Sequence, residues 1–68
     1  MTESDHLYIQ KQVGRYLEYS QQSNQSAAED CLYRIASCLE ILPPGAGHYT
    51  PEVGQIAINW LRTNSYQV

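Results

Sequence analysis

The chain is expected to be all-α, a three-helix bundle with helices over about residues 4–22, 26–42 and 50–64, open to completion by dimerisation. Two observations carry that expectation. Apolar residues recur at spacings of three and four in three separate segments, which is the stripe pattern of a 3.6-residue helix. Start and stop signals frame the segments: Ser26 with Glu29 as a capping box, Pro43-Pro44 as a stop, and Thr50-Pro51-Glu52 as a second start.

The first helix is expected from near Ser4 to about Gln22, with Ile9, Val13, Tyr16 and Leu17 as its core stripe and Ser20 continuing the line. Gly14 is a mild internal cost. A second stripe, Tyr8, Gln12, Arg15 and Tyr19, repeats at the same spacings about 120° around the helix, at ~100° per residue. Tyrosine and arginine are enriched at interface cores and hot spots, so this stripe is a candidate contact surface for a protein partner. Tyrosines bordering a core with their hydroxyls in water would give the same pattern.

Ser20-Gln21-Gln22-Ser23-Asn24-Gln25-Ser26 is polar and separates the first two apolar patterns, so an αα-hairpin is expected. On the second helix Ala28, Cys31, Leu32, Ile35, Cys38, Leu39 and Leu42 share one face. Tyr33 stands opposite them beside Glu29, Ser37 and Glu40, which adds Tyr33 and Glu40 to the candidate partner-binding residues. Pro43 to Tyr49 is the main connector, stiffened by prolines and reversed through glycines.

The last helix has Thr50 as N-cap and Pro51 at its first position. Val53, Ile56, Ala57, Trp60 and Leu61 face one way with Ile58 at the edge, an apolar arc wider than a surface helix needs. Val53, Ile56, Ile58 and Trp60 are therefore candidate self-association residues. Tyr66-Gln67-Val68 is left as a short tail.

Sixty-eight residues make one domain, and folding at this size buries only roughly 60% of the surface that the unfolded chain exposes. A homodimer or a partner is the usual remedy. With four Lys and Arg against seven Asp and Glu, a net charge of -3, the balance argues against nucleic-acid binding. Five of the seven acids, Glu3, Asp5, Glu29, Asp30 and Glu52, are placed in first turns of helices, where the macrodipole favours them, so mimicry of nucleic acid is not needed to explain them. No apolar run spans a bilayer, and Met1-Thr2-Glu3-Ser4-Asp5 is acidic where a signal peptide is basic, so a cytoplasmic protein with no membrane partner is expected.

Chemistry-bearing residues are few. Cys31 and Cys38 fall on one helical face about 10.5 Å apart along the axis, at 1.5 Å per residue, beyond disulfide reach. Amid Leu32, Ile35, Leu39 and Leu42 they read as buried hydrophobes rather than as a nucleophile served by His48. Cys31, Cys38, His48 and His6 lack the short Cys spacing of zinc sites. The expectation is a small non-enzymatic interaction module without metal or cofactor, acting as an inhibitor, adaptor or regulatory subunit. The alternative is a dimeric helix-turn-helix-like DNA-binding regulator using Gln55, Asn59, Arg62 and Asn64 of the last helix, against which stand the long connector and the scarcity of cations.

Overall fold

Helix ends set the architecture. In the computed structural model, which describes residues 1–68, three helices follow one another: α1 (Glu3–Gln21), α2 (Gln25–Cys38) and α3 (Pro51–Thr63). The fold class is all-α, as expected, and no strand is present.

α1 starts on a capping box formed by Thr2 and Asp5. The Thr2 Oγ1 accepts from the Asp5 N–H at 3.2 Å, and the Asp5 carboxylate accepts from the Thr2 N–H at 3.1 Å. α3 starts as expected, with the Thr50 Oγ1 accepting from the Val53 N–H at 3.2 Å and Pro51 in the first turn. α2 departs from expectation. Its N-cap is Asn24, whose Oδ1 accepts from the Ala27 N–H at 3.3 Å, and Ser26 lies inside the helix. Glu29 instead accepts from the Gln25 side chain at 2.9 Å. Glu29 and Asp30 thus leave the first turn, and Asp30 serves an ion pair with Arg34 four residues on, at 2.7 Å.

The reason lies in how α1 stops. Ser23 takes a left-handed φ of 58°, its N–H donates to Ser20 O at 3.2 Å, and the Asn24 N–H donates to Tyr19 O at 2.9 Å. This is a Schellman ending, which returns two orphan carbonyls to hydrogen bonds. Asn24 closes one helix with its backbone and opens the next with its side chain, so the polar stretch shrinks to a tight turn.

α2 and α3 stop in the same way. Glu40 (φ 58°) donates to Ser37 O while Ile41 donates to Ala36 O, both at 3.1 Å. Ser65 (φ 71°) donates to Arg62 O at 3.2 Å while Tyr66 donates to Leu61 O at 2.9 Å. The expected stop at Pro43 is therefore four residues late, because the left-handed turn at Glu40 swings Ile41 back toward the core. Leu39, Ile41 and Leu42 pack there from outside the helix, and Gly45 (φ 79°) reverses the connector.

Ile9 and Val13 of α1, Leu32, Ile35 and Ala36 of α2, and Val53, Ala57 and Leu61 of α3 form the core. α2 is its centre, because it packs on both other helices while no Cα of α1 lies within 8 Å of a Cα of α3. On α1 the buried line is rotated from the expected one. Gln12 and Leu17 lie on opposite shoulders of Ile9–Val13–Tyr16, and α2 leans on the Gln12 shoulder. Gln12 is only 3% exposed, while Leu17 is 38% exposed. The tail is not free: Tyr66 and Val68 pack on the core, the Trp60 and Tyr66 rings meet at a 32° tilt with centroids 6.2 Å apart, and Arg62 donates to Val68 O at 3.2 Å. No helix is long and apolar enough to cross a membrane.

Candidate functional site

The rotation of α1 brings its second stripe against the outer flank of α2. Tyr8 (37% exposed), Arg15 and the half-buried Tyr19 of α1 meet the half-buried Tyr33 and the exposed Arg34 of α2. Two shallow hollows run along this seam. One, of about 530 Å³, holds Asp5, Tyr8, Tyr33, Arg34 and Cys38; the other, of about 180 Å³, holds Gln12, Arg15, Tyr19, Asp30 and Arg34. Arg34 walls both, so they form one strip. Its guanidinium is held above its ordinary pKa first by the Asp30 hydrogen bond and then by the adjacent Tyr8 hydroxyl.

Three expected surface residues are corrected. Tyr33, expected opposite the core, is half-buried and packs against its edge while still lining the strip. Gln12 is not an exposed contact but lies at the floor of the strip, because α2 leans on its side of α1. Glu40 belongs to neither hollow; it is exposed at the left-handed turn that ends α2, and its part in the fold is played by its backbone. Arg34 is the residue of the strip that sequence reading missed, since its placement depends on which flank of α2 faces α1.

The proposed self-association set does not survive as one face. Val53 is fully buried in the core at 0% exposure. Ile56 and Ile58, two positions apart, are separated by roughly 160° around α3 at ~100° per residue. Ile58 and Trp60 are half-buried against the core on opposite shoulders of α3, Trp60 also against the folded tail.

A third hollow, of about 450 Å³, opens between α1 and α3 over Ala28 and Leu32 of α2, with Tyr16, Tyr49 and Ile58 on its sides. Tyr49 was not singled out from the sequence. Its ring lies across Gly54, so close that a Cβ built there would stand 2.9 Å from its Cε1 and Cζ. Burial, then Glu29 and Tyr16, push the Tyr49 hydroxyl above its ordinary pKa. A glycine in the first turns of an apolar helix, preceded by an aromatic residue, was the available signal.

The thiols are free. Burial first, then Asp30, raises Cys31; burial first, then Asp5, raises Cys38, whose Sγ stands 3.9 Å from Asp5 Oδ1. Both shifts run against the thiolate that a nucleophile requires. Cys31, Cys38, His48 and His6 do not converge, and no three His, Cys, Asp or Glu side chains are grouped to hold a metal ion. On α3 the groups weighed for DNA contact are engaged within the chain: Gln55 donates to Asn59 at 2.8 Å, Arg62 to the tail, and Asn64 to Trp60 O at 2.8 Å. No protein-family model, curated protein or solved structure matches the chain.

Proposed function

We propose that this chain is a small interaction module that occupies another protein through the α1–α2 strip, as an inhibitor, adaptor or regulatory subunit. The observation that carries the reading is the convergence of Tyr8, Tyr19 and Tyr33 with Arg15 and Arg34, from two helices, on one partly open surface. Tyrosine brings large contact area with only two rotatable side-chain angles, and arginine brings a forked donor set. Interfaces draw most of their affinity from a few such residues near their centre.

The test is a photoreactive residue replacing Tyr8, with a second protein carrying it at Gln55 on the far side of α3 as control. Crosslinking in the source cell is expected to give one heterologous product from position 8 and not from position 55, and Arg15→Ala is expected to reduce its yield. Equal products from both positions would overturn the reading, as would a product of twice the chain mass, which identifies a second copy. Duplex DNA retained at low salt and released steeply as salt rises would replace it with the DNA-binding alternative.

A further inference from the structure

The smaller hollow of the strip contains a buried polar group that the fold does not use. Glutamine is mostly a surface residue, and an amide taken out of water without partners is costly. Gln12 is 3% exposed and takes part in none of the chain's side-chain hydrogen bonds. Yet no side-chain nitrogen or oxygen is both sealed from solvent and unpaired. The amide of Gln12 therefore spends its small exposure on the opening it lines, the hollow of about 180 Å³.

Around that amide the polar groups are chiefly donors. Arg15 has no acidic partner, since the single ion pair of the chain joins Arg34 to Asp30. Tyr19 adds a hydroxyl. Arg15 and Arg34 against Asp30 leave one net positive charge here, on a chain whose net charge is -3. The volume lies below the roughly 300 Å³ at which pockets begin to hold whole small molecules, and it suits the end of one side chain. A planar monoanion matches a guanidinium fork, whereas a phosphate dianion would bring a second negative charge beside Asp30.

We infer that this hollow takes the carboxylate of an aspartate or glutamate side chain on the partner protein, with Arg15 as the charged fork and Gln12 as the buried donor. The inference rests on the strip being the interface and specifies what the partner must present there.

The experiment uses the whole 15N-labelled chain and a blocked pentapeptide, acetyl-Ala-Ala-Glu-Ala-Ala-amide, with its Gln counterpart as control. Saturable shifts are expected at the Gln12 side-chain NH₂ and the Arg15 Nε–H with the Glu peptide. Affinity is expected to fall on the order of tenfold for the Gln peptide or in Arg15→Ala, as for loss of a charge-assisted hydrogen bond. Arg62→Ala, on α3, is expected to change nothing. Equal binding of the two peptides, or unchanged binding by Arg15→Ala, overturns the carboxylate site. Equal shifts with inorganic phosphate reduce it to a general anion site, and tighter binding of free glutarate than of the Glu peptide moves it from a protein partner to a small molecule; either result overturns the assignment. Crosslinking from position 8 distinguishes the two claims: a captured partner with no peptide response leaves the interface standing and removes the carboxylate.

Discussion

The same substitution at two helical glycines is expected to act with opposite sign. Around Gly14 of α1 no atom beyond its own stretch of helix stands within 4 Å of where a Cβ would be placed. Alanine there gains only helix propensity, about 0.8–1.0 kcal/mol. With an unfolding entropy of roughly 2.1 cal/mol/K per residue over a chain of this length, that gain corresponds to a rise in Tm of about 6–7 °C. At Gly54 the propensity gain is opposed by overlap with Tyr49, whose Cε1 and Cζ lie 2.9 Å from the Cβ position. Carbon pairs are most stable at about 3.5–4.0 Å, and overpacking of this kind costs about 1–3 kcal/mol. Gly54→Ala should therefore lose on the order of 1 kcal/mol net, the difference between overpacking and propensity. Urea unfolding followed by circular dichroism measures both, and a cycle with Tyr49→Ala isolates the cause. In the Tyr49→Ala background, alanine at position 54 should become stabilising, with a coupling of about 1–3 kcal/mol. If Gly54→Ala stabilises as much as Gly14→Ala while Tyr49 is present, the clasp of that ring over α3 is refuted.

Three further outcomes follow from the helix ends and the thiols. Glu40→Gly should stabilise by about 0.5–1 kcal/mol, because a left-handed φ costs an L-residue about 1–2 kcal/mol and glycine gives part of that back as chain entropy in the unfolded state; a lower urea midpoint would show that the turn at Glu40 is not left-handed. Asp5 is held below its ordinary value of 3.8, first by the Thr2 backbone N–H and then by the Thr2 hydroxyl. A depressed carboxyl contributes stability that is complete above its unfolded pKa and lost as pH falls through the folded one. Asp5→Asn should therefore flatten the loss of stability in urea titrations below about pH 4, and an unchanged acid limb would deny the capping box. Cys31, buried with its thiol raised, should resist a thiol reagent at neutral pH until the chain unfolds, whereas half-buried Cys38 should react slowly in the native state. Labelling of Cys31 at the rate of a free thiol would contradict the core described.

What could be read from the sequence was local. Thr50-Pro51 marks a helix start whatever surrounds it, and the three-and-four spacing of Ile9, Val13, Leu32, Ile35, Val53, Ala57 and Leu61 identifies the core because each residue needs only its own helix to be placed. Errors arose where a neighbour decided. Asn24 and Ser26 can both cap, and the choice fell to Asn24 because the end of α1 had already fixed its backbone. The stop of α2 carries no glycine, so the turn at Glu40 left no trace before Pro43. Whether Gln12 or Leu17 goes inside depends on which shoulder of α1 the second helix leans against. Of the candidate site, Tyr8, Tyr19 and Arg15 are legible as surplus aromatic and cationic groups off the core line, while Arg34 and the packing of Tyr33 on the core are not.

The absence of any backbone approach between α1 and α3 also bears on how the chain reaches its native state. At the level of the backbone each outer helix packs on its immediate neighbour in sequence, and α1 meets α3 only through the side chains of the shared core. Chains wired this way have low contact order and cross their folding barriers on microsecond to millisecond scales. Both helical hairpins share the middle helix, so neither forms without it.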